Sequence, residues 1–321
     1  MRARIIRLST GVAALVMLVG GVQPAGAQAW LPAKGEGTVS VLFTNVLSRE
    51  HLLPDISYDV GHITSNTMLF DVTYGLSDRV AVSVGLPVVV SRYLGSFPHR
   101  PITLDDGTWH TTAQDFRFSV RYNAVRGTVM LTPFAGTDLP SNDYEFFAHS
   151  APGRRLKEFH AGLAAGRLFA DLGLVLQGRY SLALSEGALD LPRRYSLASL
   201  EAAYFLTPGV RLIAMTASRI GHTGINLAIN SGSVLPAEVF RRHDQISRES
   251  YLNFGGGAAV ALTDRWDLFG SYTTTIIGRN THAVNRGISL GVTRSFGGDG
   301  GSALSAREGT IVRCLCQKAA G

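Results

Sequence analysis

Cysteine is almost absent from this sequence. The 321 residues include only two, Cys314 and Cys316, and both lie in the last eight positions. A C-x-C pair lacks the further ligands of a structural zinc site, and no disulfide can form elsewhere in the chain. We therefore predict no metal site and no cofactor, and a fold that does not depend on disulfide bonds.

Long apolar runs are missing beyond the N-terminus. No stretch of about 18 apolar residues follows Ala27, which argues against a helical membrane protein. Charged residues make up 17% of the chain, and no basic block alternates with aromatic residues, so nucleic acid is not an expected partner. With 45% hydrophobic residues, the composition also excludes a disordered chain.

The N-terminus has the three parts of a secretory signal peptide. Basic residues at Arg2, Arg4 and Arg7 precede an apolar core at Gly11–Val22 and a small-residue cleavage site at 25–27. We predict cleavage after residue 27, which leaves a mature chain from Gln28 and lowers the formal charge from +6 to +3. No cysteine follows the cut, so a lipoprotein anchor is not indicated. The alternative is an uncleaved N-terminal anchor.

The segment Asp71–Val90 contains two alternating runs around a polar turn at residues 75–78. Side chains of a strand point to opposite faces in turn, so this period of two gives each strand one apolar face. The apolar positions of the two runs are Met68, Phe70, Val72 and Tyr74, then Val80, Val82, Val84, Leu86, Val88 and Val90. Runs of about ten residues match tilted strands that cross a bilayer. The segment predicts a transmembrane β-hairpin.

The segment Asp115–Asn123 shows what lies on the other face. Phe116, Phe118, Val120 and Tyr122 alternate with charged, hydroxyl and amide residues. The core of a soluble sandwich would leave so many inward polar groups without hydrogen bonds. A water-filled lumen hydrates them, and apolar-out, polar-in alternation is the pattern of outer-membrane barrels.

The same pattern recurs through the mature chain and predicts one all-β domain, a closed antiparallel β-barrel of about twelve strands. Tight turns near 76, 125, 170, 208 and 264 alternate with longer connections, among them 47–62, 91–111, 138–156, 183–194 and 220–249. Short turns on the periplasmic side and long loops on the extracellular side are typical of the class. The predicted divisions are a signal peptide (1–27), the barrel (28–296) and a disordered periplasmic tail (297–321).

The last predicted strand ends at the aromatic Phe296. Ile288, Leu290 and Val292 share its parity, which places all four on one face.

Two segments resemble a family of Gram-negative outer-membrane transporters associated with phenol-degradation pathways. Tyr74–Arg79 resembles the first periplasmic turn of that family, and Val82–Pro87 its next strand.

A second element, Phe134–Gly136 followed by Leu139–Tyr144, is similar to the family element after the fifth strand, with Asn142 where glycine is usual. The resemblance implies a place in the Gram-negative outer membrane, recognition of the terminal aromatic by the barrel-assembly machinery, and import of small, often aromatic or apolar solutes.

Polar residues on the inward parity are the candidate site residues. They are predicted to line the lumen and select solutes by charge and size. These residues are Asp71, Asp115, Arg117, Arg121, Gln177, Arg179, Glu201, Arg211 and Asn253. Two alternatives remain: mutual pairing that plugs a structural barrel, and a membrane-embedded hydrolase.

No catalytic residue is predicted. His160, Ser119 and Ser199 fall on the inward parity, but no spacing joins them into a catalytic group, and we expect a protein that is not an enzyme. The expected partners are membrane lipids, the assembly machinery and a small solute.

One long loop is more apolar than an exposed loop should be. It covers Ile225–Phe240, INLAINSGSVLPAEVF. Two interpretations fit this composition equally: a lid or constriction in the mouth of the barrel, or packing against neighbouring loops.

Overall fold

The computed structural model of the chain describes residues 29–54, 56–95, 104–227 and 236–298. The predicted signal peptide and the two cysteines lie outside these ranges, as does all but the start of the predicted tail. The predicted cleavage of the signal peptide, the predicted absence of a metal site at the cysteines and the predicted disorder of the tail therefore stay predictions.

Within the described residues, twelve antiparallel strands form a closed barrel, as predicted. Two strands are each interrupted once, β4 at Gln114 and β12 at residues 283–285. The bounds are β1 Gly37–Leu52, β2 Ser57–Ser77, β3 Val80–Leu94, β4 His110–Ala113 with Asp115–Tyr122, β5 Val129–Pro140, β6 Glu158–Phe169, β7 Leu174–Ala188, β8 Leu191–Thr207, β9 Val210–Gly221, β10 Ser250–Thr263, β11 Trp266–Arg279 and β12 Thr281–His282 with Arg286–Phe296.

The first and last strands close the barrel. Strand β1 pairs with β12 from Gly37 opposite Phe296 to Leu47 opposite Arg286, while its other edge pairs with β2. Among the described strands, no sheet edge is therefore left with unpaired backbone groups, which is the condition for a sheet to span a bilayer. The predicted terminal aromatic lies at this seam, where Phe296 stacks on Tyr74 with ring centroids 6.3 Å apart.

All five tight turns predicted for the periplasmic end join consecutive strands. The turn at 170 contains a short 3-10 helix, Ala170–Leu172. At the extracellular end, the strands that flank the long loops predicted at 91–111, 138–156 and 220–249 end within four residues of the predicted positions. The last of these loops carries the helices α1 Ala237–Arg241 and α2 His243–Ile246. None of the described helices is long and apolar enough to cross a membrane.

Two predicted loops are wrong. Residues 183–194 belong to β7 and β8, joined by a turn at Leu189 and Asp190, which adopt positive φ angles of 52° and 58°. Such left-handed pairs match the twist of a two-residue hairpin. Residues 47–62 likewise belong to β1 and β2, apart from a connection at 53–56. Polar residues mark no strand end here, because strand pairing continues through them.

The side-chain alternation has the predicted parity. On β4, the apolar residues are exposed on the outer wall, where Val120 is 51% exposed, whereas the residues between them are only partly accessible. The outer wall also exposes Phe70, Tyr204 and Leu290 at 49–56%. This apolar surface is the one that lipid would cover.

Replacing Phe70 by Arg tests which face meets lipid. A charge on the lipid-facing wall is expected to lower the free energy of unfolding by about 2–4 kcal/mol. Thr67 lies on the same strand but lines the lumen, so Thr67→Arg is the matched control and should cost much less. Urea unfolding of the refolded proteins in lipid vesicles, followed by tryptophan fluorescence, measures both. Equal losses would contradict the assigned faces.

Candidate functional site

A cavity of about 850 Å³ lies inside the barrel. Its lining includes Trp30 and Phe296 near the periplasmic end and Glu249 and His282 near the extracellular end. The inward faces of strands all round the barrel contribute to it. The lumen is therefore neither filled throughout by side chains nor limited to one mouth.

Seven of the nine predicted site residues line this cavity. They are Asp71, Asp115, Arg117, Arg121, Arg179, Arg211 and Asn253. The other two, Gln177 and Glu201, also point inward, but Gln177 Nε2 donates a hydrogen bond of 2.9 Å to Glu201 Oε1 beside the N-terminal segment. They support that segment rather than the cavity wall.

Neighbouring strands bring acidic and basic residues into one row. Strand pairing places Gly85 opposite both Asp71 and Arg117, Arg117 opposite Asp138, and Asp138 opposite Glu158. Sequence analysis missed Asp138 because it assigned this residue to the loop 138–156, and it did not select Glu158 although that residue lies in the predicted strand that follows the loop. Gly85 matters here, since a Cβ at this position would lie 3.2 Å from Asp71 Oδ2. Its lack of a side chain leaves room between Asp71 and Arg117.

Neutral groups contact two arginines of this polar wall. Arg121 donates hydrogen bonds from Nη2 to Ser83 Oγ at 3.2 Å and to Thr73 Oγ1 at 3.4 Å. Arg179 lies over the ring of Phe134, 3.8 Å from its centroid. Hydroxyl groups orient the guanidinium of Arg121, and the ring face of Phe134 orients that of Arg179.

The opposite part of the wall contains an apolar cluster. Inward-facing residues of β1, β2 and β8–β11 form one buried cluster, with Val175 and Met215 packed against it. The cluster consists of Leu42, Leu69, Ala203, Ile213, Ala259 and Phe269. Arg211 of β9 and Asp267 of β11 line the cavity on the same strands. The lumen therefore presents apolar and charged groups side by side, which suits a solute that has both characters.

The segment 29–36 fills the periplasmic end of the barrel. Ala29 is fully buried against Met130 and Ala164, and its carbonyl accepts a 2.7 Å hydrogen bond from Thr132 Oγ1. Backbone hydrogen bonds tie Gly35 and Glu36 to Gly75 of β2 at 2.9 and 2.8 Å. Sequence analysis did not predict this plug, because a short non-periodic segment shows no pattern that places it inside a barrel.

Glycines in the wall make room for the plug. A Cβ at Gly166 would lie 2.5 Å from the ring of Trp30 and 2.7 Å from the Ala29 Cβ. A Cβ at Gly75 would lie 2.2 Å from the Ala33 carbonyl oxygen. Only glycine allows so close an approach.

A buried ionic cluster lies at the extracellular end. Glu249 pairs with Arg154, with Arg219 at 3.2 Å and with Arg193 at 3.8 Å, and it accepts a 2.8 Å hydrogen bond from Thr281. Burial raises the pKa of the Glu249 carboxyl, but the attraction of the three guanidiniums outweighs it and holds that pKa well below its usual range. One carboxylate thus joins β8, β9 and the loops before β6 and β10.

The apolar loop Ile225–Phe240 is described only at its two ends, because residues 228–235 lie outside the described residues. Leu227 is buried, and its backbone N–H donates a 3.0 Å hydrogen bond to Asn280. Phe240 stacks on His243 and meets the edge of Phe147. The ends pack on neighbouring loops, whereas the lid interpretation of the middle stays a prediction.

The histidine and serines singled out in the sequence form no catalytic group in the described residues. His160, Ser119 and Ser199 line the cavity, and His160 packs against Gly136. A different serine, Ser196, lies 2.7 Å from His222 Nε2 and 2.8 Å from the Tyr180 hydroxyl on the outer wall. Ser196 itself is only 3% exposed.

The fold is that of Gram-negative outer-membrane β-barrels, the class that the turn motifs resemble. An outer membrane channel from Pseudomonas putida F1 superposes with a TM-score of 0.67 at 15% identity, covering 86% of this chain and all of that one. The NanC porin gives 0.47 at 11% identity (81% and 99% covered), and the CymD monoaromatic hydrocarbon channel 0.40 at 11% (83% and 90%). Neither a family model nor a curated protein matches the sequence.

Substituting Gly166 by Val is expected to push Trp30 and Ala29 out of the periplasmic end. The mean single-channel conductance of the refolded protein should then rise roughly twofold or more, because the segment would no longer occupy the periplasmic end of the lumen. Gly127→Val in an exposed turn, where a Cβ meets nothing within 4 Å, is the control. An unchanged conductance in the Gly166→Val protein would show that the segment does not limit the pore.

Proposed function

We propose that this protein resides in the Gram-negative outer membrane and lets small solutes pass, by passive or gated movement, through its lumen. The observation that carries the proposal is the cavity of about 850 Å³ lined by residues near both ends of the barrel. The channel from Pseudomonas putida F1 has the same fold. That likeness supports the proposal without establishing it, since one fold can serve several functions.

The lining of the lumen, which has both charged and apolar groups, favours the passage of aromatic or apolar solutes. A volume of this size falls within the range of sites for small organic molecules, roughly 300–1,000 Å³. The apolar cluster around Leu69 and Phe269 would contact the body of such a solute, while the polar wall keeps the path hydrated. Buried apolar groups would not assist the passage of strongly hydrated ions.

The second candidate is a plugged structural barrel, which the N-terminal segment favours. Residues 29–36 are anchored by hydrogen bonds and apolar contacts at one end of the cavity. Passage then requires this segment to narrow the lumen without sealing it, or to move. We assign no catalytic role to the barrel.

Export and assembly complete the proposal. Cleavage after residue 27 would leave a single residue ahead of Ala29, which is already fully buried inside the barrel. A retained signal peptide would have to pass through or around this packed end. We therefore propose that the signal peptide is cleaved, and that the assembly machinery receives a mature chain with Phe296 as its terminal aromatic.

Conductance in planar bilayers, recorded at both polarities in a KCl gradient, tests passage. Replacing Arg117, Arg121 or Arg179 by Gln should shift the reversal potential toward cations, because each change removes a fixed positive charge from a confined lumen. Arg126→Gln, in an exposed periplasmic turn, is the matched control.

Identical reversal potentials in lumen and control variants would contradict the selective role of these arginines. A wild-type protein that stays silent, together with a silent Gly166→Val variant, would favour the structural barrel.

A further inference from the structure

Arg219 lies on the inward face of β9, near the extracellular end of the cavity. Strand pairing places it between Leu197 of β8 and Tyr251 of β10, and all three residues line the cavity. The Arg219 side chain is 12% exposed. A guanidinium is thus held among an aliphatic and an aromatic side chain, away from open water.

The contacts of Arg219 with described residues hold its guanidinium in place but provide an acceptor for only one of its three nitrogens. Nη1 lies 3.2 Å from Glu249 Oε2, and the group sits over the ring of Tyr195, 3.6 Å from its centroid. The remaining edge, Nε and Nη2, is buried and has no acceptor among the residues that the structure describes. These two nitrogens form the planar fork that matches the two oxygens of a carboxylate.

Glu249 cannot satisfy this edge as well. Its carboxylate already meets Arg154, Arg193 and the Thr281 hydroxyl besides Arg219. Three guanidiniums share this carboxylate, and Glu158 and Asp244 are further acidic groups that act on Arg154, but none of the three carboxylates is an acceptor for this edge. A buried charged donor without an acceptor costs free energy, which an arriving anion would recover.

The surroundings select the kind of anion. Tyr195 covers one face of the guanidinium, and Leu197 and Tyr251 flank it on the wall. A small hydrated anion such as phosphate gains nothing from such walls, whereas an aryl or alkyl group attached to a carboxylate buries apolar area against them.

We propose that the Nε–Nη2 edge of Arg219 binds the carboxylate of an organic acid with an apolar body, as a recognition subsite at the extracellular end of the lumen. This assignment rests on the proposed function, because it takes the cavity as the path of the solute. It also narrows the solute class to apolar organic acids.

Isothermal titration calorimetry of the refolded mature protein in detergent, with sodium benzoate as the probe, tests the subsite. Wild-type protein should bind benzoate, and benzyl alcohol, which has the same ring without the charge, should not compete. Binding requires no conduction. A protein that conducts but does not bind benzoate would overturn the subsite alone, and one that binds but never conducts would overturn the proposed passage alone.

Two variants separate charge from geometry. Arg219→Gln should weaken benzoate binding about tenfold or more, since the charge-assisted pair is lost. Arg219→Lys keeps the charge but loses the planar fork, and it should weaken binding severalfold as well. Arg126→Gln should bind as wild type does. Heat-modifiable migration in gels verifies that each variant is folded.

Three results would overturn the proposal. The first is unchanged benzoate affinity in folded Arg219→Gln protein. The second is competition by benzyl alcohol as strong as that of benzoate itself. The third is displacement of benzoate by equimolar inorganic phosphate, which would show a general anion site instead of one for apolar organic acids.

Discussion

The backbone hydrogen bonds between the first and last strands are the interaction on which the rest of the structure depends. A bilayer offers no partner for an unpaired N–H or C=O group, so a sheet can span it only when its two edges meet. Pairing of β1 with β12 meets this condition. Closure then fixes which face of each strand is outside, and with it the entire lining of the lumen.

This constraint explains why the barrel could be predicted from the sequence and the interior only in part. Closure and burial impose a strict period of two, which is visible in Phe116–Tyr122 and in the valines of β3. The same parity placed Asp71, Arg117 and Arg121 on the inner wall, where they line the cavity. Loops were harder to locate, since strands that leave the membrane meet water on both faces and become polar before they end. The hairpin at Leu189 and Asp190 is the example.

The parts that sequence analysis missed are contacts between distant segments that follow no period. The plug depends on Gly75 and Gly166. In the sequence they look like a turn glycine and an ordinary strand glycine, whereas in the structure Ala33 and Trp30 pack on them. The cluster around Glu249 joins arginines from three separate stretches of chain. Charge and burial place these groups together only after the barrel has formed, so no local pattern marks them.

The central claim is that the lumen is a path open to solutes, with the inner wall assigned here. Single cysteines at Ser119 and Phe118, in a chain whose Cys314 and Cys316 are replaced by serine, test it most directly. A small, membrane-impermeant thiol reagent should modify the cysteine at 119, on the inner wall, and leave the one at 118, on the lipid-facing wall. Modification at 118 would contradict the wall assignment, and a cysteine at 119 that stays unmodified from both sides of the membrane would contradict an open lumen.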